Sequence, residues 1–379
     1  MNLRYFAHSW LSDWNHGNAH FLRGLMSALA GRGHQVRVYE PMPTPDGGWS
    51  LQQQWQEPGG AEAVAAMRRA YPEIHVRLFG CGSPNVRPAI ADLPWVLDWG
   101  EELRHADVVV VHEWNEADLF AWLLEQRRRY GFRLLLHDTH HRALSQPEML
   151  DRLPLKALDG VLAFGESLRR IYHRDGRAPR TFTLHEAADT TRFRPQPGAA
   201  ATHDLVWVGN WGDEERTQAL EHYLLTPIRR AQARARIYGV RYPAAALRAL
   251  QEAGIDFGGY LPNLRAPEVL AQARVTLHVP RGPYATSLPG IPTIRVFEAL
   301  ACGMALLSAP WADTEGLFTV GDDFWMAHSP QEMTALLVQL LQHPAQRTAL
   351  GQHGAASIRA RHTCEHRALE LEAICRNLD

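Results

Sequence analysis

The chain has 379 residues, 46% of them hydrophobic and 21% charged, with a formal net charge of −2. This composition excludes a disordered chain and a membrane-embedded one, and the near-neutral balance excludes a broadly basic surface for nucleic acid or anionic lipid. The length suits two domains of similar size. No charged-then-apolar signal opens the chain and no apolar run reaches spanning length, so a cytoplasmic protein is expected. Cys81, Cys302, Cys364 and Cys375 form no CxxC pair, which predicts reduced thiols.

Taken in order, residues 3–8 read as a first strand, ending in the polar loop SWLSDWNHGN. Phe21, Leu22, Leu25, Met26 and Leu29 keep helical spacing, so a helix is predicted over 19–30, stopped by Gly31 and Gly33 and followed by a strand over 35–39. Residues 41–60, rich in Pro, Gly and Gln, read as a surface excursion. Continuous apolar runs at 107–112 (DVVVVH), 132–137 (FRLLLH) and 160–164 have the character of central parallel strands, and the pattern restarts at 204–209 (DLVWVG), 235–240 and 275–279. A polar, Pro-containing stretch over 187–203 separates the two series of strand–helix units. The expectation is α/β: two Rossmann-like, doubly wound domains, 1–196 and 197–362, facing across a cleft.

Residues 280–308, PRGPYATSLPGIPTIRVFEALACGMALLS, carry the most chemistry. A Pro/Gly-punctuated loop leads to Pro292, which suits a first helical turn; Ile294, Phe297, Leu300 and Ala301 then make an apolar helix face. Gly303 stops the helix and 305–307 reads as a buried strand. Free N–H groups at the start of that helix favour an anion such as a diphosphate, and Glu298 on the next turn suits two ribose hydroxyls. The alternative is a capped helix with an ordinary surface glutamate.

After the 132–137 strand comes HDTHHR, which puts His137, Asp138, His140 and His141 at a strand's carboxyl end, where doubly wound sheets gather ligands. A histidine there can shuttle protons or bond a sugar hydroxyl. The same imidazoles suit zinc in principle. After the 107–112 strand, VHEWNEADL presents Glu113, Trp114 and Asn115 in the same way. Near the carboxyl terminus His362, Cys364 and His366 mimic a metal clip, but a solvated helix face is the simpler expectation.

RVFEALACGMALLSAPW resembles the nucleotide-sugar signature of GT-B-fold glycosyltransferases, particularly the branch related to spore-maturation glycosyltransferase-like proteins. HGNAHFLRGLMSALAGRGHQVRVYEP resembles their amino-terminal unit, and HEAADTTRFRPQP resembles the segment joining their domains, with Asp189, Phe193 and Pro195 matching. This resemblance implies a hexosyltransferase-like enzyme moving a sugar from a UDP-, GDP- or dTDP-linked donor to an acceptor hydroxyl, on a glycan, protein, small molecule or, as a lesser alternative, nucleic acid. It implies no cofactor and no catalytic metal, in keeping with the lack of a DxD pair. Donor contacts would come from Glu298, Arg216, Arg295, Arg281, Gly290, Gly17, Asn210 and Tyr260, with Gly290 standing where many relatives carry a second glutamate. One of the three arginines, Arg295 above all, is open to being a carboxylate's structural partner instead. His140, then His137, would be catalytic, and His16, Asn18, Glu113, Trp114 and Asn115 would line the acceptor side. The final helix, over 363–378, would pack back on the first domain, as in relatives. The competing readings are a nucleotide-sugar epimerase or hydrolase on the same fold, and a non-catalytic nucleotide-sugar-binding protein.

Overall fold

The computed structural model describes residues 1–43, 48–80, 97–174, 176–212 and 214–378; Cys81 lies outside them. The chain forms two compact units, Met1–His185 with Cys364–Asp379, and Glu186–Thr363. Each is built on an all-parallel sheet with helical crossovers, the two-domain α/β architecture expected from the sequence.

In unit 1 the strands are β1 (Asn2–Phe6), β2 (Gln35–Pro41), β3 (His75–Phe79), β4 (Val108–His112), β5 (Arg133–Asp138), β6 (Gly160–Ala163) and β7 (Thr181–Thr183). Their order across the sheet is β3-β2-β1-β4-β5-β6-β7. Val108 to His112 are all buried, as a strand covered on both faces requires. The chain first winds outward from β1 to β3, then returns to β4 on the other side. The switch point therefore lies between β1 and β4, and the crevice beyond their carboxyl ends is where such sheets bind ligands.

Helix α1 (Ala19–Gly31) buries Phe21, Leu22, Leu25, Met26 and Leu29. The terminal helix Cys364–Arg376 packs against it. Arg32 donates to both carboxylate oxygens of Glu372, at 2.5 and 3.0 Å, and the His34 ring lies 2.8 Å from the same group. The 41–60 stretch departs from expectation, since Trp49–Gln56 is helical and buries Ser50, Leu51 and Gln54. Its scattered Gln and Gly residues masked that short buried face.

In unit 2 the strands are β8 (His203–Val208), β9 (Ala235–Tyr238), β10 (Asp256–Phe257), β11 (Ala273–His278), β12 (Ala305–Ser308) and β13 (Trp325–Met326), in the order β10-β9-β8-β11-β12-β13. The switch point here falls between β8 and β11. Helix α2 (Ile294–Ala301) buries Ile294, Phe297, Leu300 and Ala301 as its spacing predicts. It begins at Ile294 with Thr293 as the N-cap, so Pro292 precedes the helix instead of lying in its first turn. His362 and Cys364 are 4% and 1% exposed, which replaces the expected solvated face with a buried one. His362 Nε2 meets the Leu317 carbonyl at 2.8 Å, whereas Cys364 Sγ faces the Phe21 carbonyl, so the two do not share a ligand.

Candidate functional site

At the unit 2 switch point, Gly209–Gly212 follows β8. Gly212 has φ +81°, and a Cβ on it would lie 3.0 Å from Arg281 Nη2 and 3.4 Å from Arg216 Cδ. The glycine loop thus lets two guanidinium side chains crowd against backbone, one from beyond β8 and one from beyond β11. Arg216 is anchored by donating to the Asn210 and Val279 carbonyls, which ties the ends of β8 and β11 together, and its guanidinium lies 5.4 Å from the Trp207 ring centroid. Asn210 works structurally, its Oδ1 accepting the Val240 N–H at 2.9 Å.

His278, the last residue of β11, meets Ser308 Oγ at 2.8 Å and Thr293 Oγ1 at 3.1 Å. Burial, aided by nearby Arg216, pushes its imidazole down to about 3, so it is a neutral bridge between β11, β12 and the start of α2. Sequence reading passed over His278, Thr293 and Ser308; the one signal was the histidine, His278, inside the otherwise largely apolar run VTLHV. The first turn of α2 carries no acidic side chain, which leaves its partial positive charge unopposed from within the helix.

One turn into α2, Glu298 is 2% exposed. Its Oε1 accepts from Asn263 Nδ2 at 3.0 Å and its Oε2 is ion-paired with Arg295. The alternative of a surface glutamate is therefore overturned, and Arg295 is the carboxylate's partner, as its spacing allowed. Arg295 and Glu298 border a small pocket with Val208, Thr276 and Leu277. Tyr260 is half-buried in the segment that also delivers Asn263 to Glu298. Gly290 lies on the approach to α2, with its N–H bonded to the Ala312 carbonyl at 2.6 Å. So Glu298, Arg295, Arg216, Arg281, Asn210, Gly290 and Tyr260 all belong to unit 2. Gly17 does not: it lies in unit 1 between His16 and Asn18.

In unit 1 a second constellation forms beyond β1, β4 and β5. His8, His16, His112, Trp114 and His140 make a connected aromatic set, with ring centroids 6.0 Å apart for His8–His16, 5.0 Å for His16–His112 and 5.2 Å for Trp114–His140. Both ring nitrogens of His16 are buried without a hydrogen-bond partner among the described residues. Asn18 and Asn115 hold the frame: Asn18 donates to the Thr139 carbonyl at 2.9 Å, and Asn115 donates to the Phe6 and His112 carbonyls at 3.0 Å each. Trp114 is 37% exposed, with the Arg142 guanidinium 3.6 Å from its ring centroid, and Arg142 also donates to the Glu113 carbonyl at 2.7 Å. His8, Thr139 and Arg142 were not foreseen.

The two candidate catalytic histidines differ sharply. His137 is fully buried, its Nδ1 2.9 Å from the Tyr5 hydroxyl, and belongs to the wall of the site. His140 is half-buried, with its backbone N–H donating to Asp138 Oδ1 at 2.9 Å. Asp138 Oδ2 in turn accepts the Tyr172 hydroxyl at 2.5 Å. Burial, reinforced by Glu113, lifts the Asp138 carboxyl to about 7, and burial lifts Glu113 to about 7. His112 Nε2 sits 3.0 Å from Glu113 Oε2, and burial holds His112, His137 and His8 down at about 3. At neutral pH His8, His112 and His137 are therefore uncharged, while Glu113 and Asp138 stand near the midpoint of their titration.

Residues 216–373 match the protein family described as "Glycosyl transferase-like". The whole chain is similar in fold to solved glycosyltransferases. With HepE from Anabaena in complex with UDP-glucose it shares 13% identity and a TM-score of 0.68, covering 100% of each chain. The chain has the GT-B fold of these proteins. The likeness extends to sucrose-phosphate synthase from Thermosynechococcus elongatus (15% identity, TM-score 0.67, 100% of this chain and 98% of that one). It extends also to a mutant TarM of S. aureus in complex with fondaparinux, α-GlcNAc-glycerol and UDP (9% identity, TM-score 0.65, 99% and 100%). No curated protein matches the chain. Among the described residues, no helix is long and apolar enough to cross a membrane.

Proposed function

We propose that unit 2 binds a UDP-sugar and that unit 1 carries the acceptor-side groups. The observation that carries this reading is the meeting of Arg216 and Arg281 at the Gly212 loop, on the sheet edge where β8 and β11 end. Breaking the sugar–phosphate bond loads negative charge on the departing diphosphate. Two guanidinium groups and the amides opening α2 are placed to stabilise that charge, and side chains and amides alone suffice for the step. Glu298, held by Arg295 and Asn263, accepts hydrogen bonds from the ribose hydroxyls, and Tyr260 flanks the base. UDP is favoured as the carrier because HepE and TarM are both seen with it.

On unit 1, His140 serves the reacting centre, and His137 with Tyr5 fixes the wall behind it. His16, Trp114 and Glu113 line the acceptor's approach, with Asn18 and Asn115 as the frame. The acceptor contributes a hydroxyl group, and the cytoplasm is the compartment in which UDP-sugars and reduced thiols coexist.

The test is calorimetric titration with UDP and UDP-glucose in the presence of a chelator. Binding of both, with slow donor hydrolysis or transfer unaffected by the chelator, is expected. Absence of binding to either nucleotide contradicts the donor assignment, and activity lost on chelation contradicts the metal-free step.

A further inference from the structure

Gly290 adopts φ +89°, a left-handed backbone that side chains disfavour. A Cβ there would stand 2.8 Å from both Cγ and Oε1 of Glu315, and 2.9 Å from Oγ1 of Thr314. Glycine is thus required twice, by angle and by room. The room it leaves is filled by a carboxylate from a separate loop. That loop is held in shape: the Gly290 N–H donates to the Ala312 carbonyl at 2.6 Å, and Asp313 accepts the Leu317 and Phe318 N–H groups at 3.1 and 2.8 Å. Glu315 itself is half-buried.

Gly290, Ile291 and Pro292 lead directly into Thr293, the N-cap of α2. The Glu315 carboxylate therefore lies over the peptide that enters the helix at whose amino end the diphosphate is proposed to bind. A carboxylate cannot bond a phosphate oxygen, and beside one it is repelled; what it can do there is accept hydrogen bonds from hydroxyl groups. The hydroxyl-rich part of a nucleotide sugar next to its diphosphate, apart from the ribose already assigned to Glu298, is the sugar. We infer that Glu315 is a specificity-determining residue that accepts hydrogen bonds from the hydroxyls of the donor's sugar, using the space that Gly290 leaves open. This rests on the nucleotide-sugar reading of unit 2.

The test is calorimetric titration of the full chain, and of its Glu315→Ala and Glu315→Gln variants, with UDP, UDP-glucose and UDP-N-acetylglucosamine. Thermal melts confirm that each variant is folded, which is expected at a half-buried loop position. The inference predicts unchanged UDP affinity in both variants, with affinity for at least one UDP-sugar falling about tenfold, equivalent to about 1.4 kcal/mol. If UDP and UDP-sugar affinities fall together, or none changes, Glu315 does not read the sugar and the inference is overturned while the donor assignment stands. A wild-type chain that binds none of the three ligands overturns the donor assignment and this inference with it.

Discussion

Arg295 and Glu298, one turn apart on α2, form an ion pair in which the carboxylate side chain is 3% exposed and the guanidinium side chain 29% exposed. With Asn263 on the other oxygen, the carboxylate is oriented before any ligand arrives. Each carboxylate oxygen accepts more than one hydrogen bond, so a ribose diol can be added without breaking the pair. Replacing Arg295 by Ala strips a buried carboxylate of its counter-charge. The expected result is a loss of about 1–3 kcal/mol in the stability of the chain, with UDP affinity reduced less than by Arg216→Ala. Thermal melts and UDP titrations of the two variants check this ordering.

Arg216 and Arg281 converge from the ends of two strands, so each should matter more to turnover than to folding. Replacing either by Ala is expected to lower kcat/KM on the order of 10²–10³-fold, as for other preorganised anion-stabilising donors. Arg216→Lys should recover little, because a single ammonium cannot reach the Asn210 and Val279 carbonyls and the ligand together. Steady-state kinetics on a UDP-sugar reads both outcomes.

His140→Ala is expected to lower kcat by about 10²–10⁴-fold, the range for a positioned proton-transfer group, with little change in UDP affinity. Equal losses in both would move His140 into the binding shell. Tyr172→Phe is the companion test. It removes a hydrogen bond from Asp138, which holds the His140 backbone, and should shift the pH–rate profile without altering UDP affinity.

The buried titratable groups predict the pH dependence of stability. His8, His112, His137 and His278 are held at about 3 against an ordinary 6.5, so the unfolded chain binds the extra protons and these groups add stability as pH rises from about 3 to 6.5. Glu113 and Asp138 sit at about 7 against ordinary values of 4.5 and 3.8, so the folded chain binds the extra protons and stability falls as pH climbs to about 7. The histidines outnumber the carboxyls, so the melting temperature should rise with pH and level off near pH 7. Scanning calorimetry from pH 4 to 8 reads the curve, and Glu113→Gln, which removes one opposing group, should steepen the rise between about pH 4.5 and 7.

Strand runs such as VVVVH and LLLH were legible because parallel strands buried on both faces need unbroken apolar sequence. The helix carrying Glu298 was legible from its spacing and its terminal glycine. Short edge strands such as β10 and β13 were not, since two residues carry no periodicity. Glu298's buried partner Asn263 and the His278–Thr293–Ser308 bridge were hidden for another reason: they join residues far apart in the chain, and only the strand order brings them to one edge. His137 shows the converse limit, because a place at the carboxyl end of a strand does not tell which face a side chain takes.

The most direct measurement of the central claim is UDP titration of the wild-type chain against Glu298→Ala, each checked for a cooperative thermal melt. The account predicts saturable binding to the wild type and a loss of at least about tenfold in a variant that still melts cooperatively. Equal affinity in the two would show that the ribose is held elsewhere and would contradict the assignment of the donor site to α2.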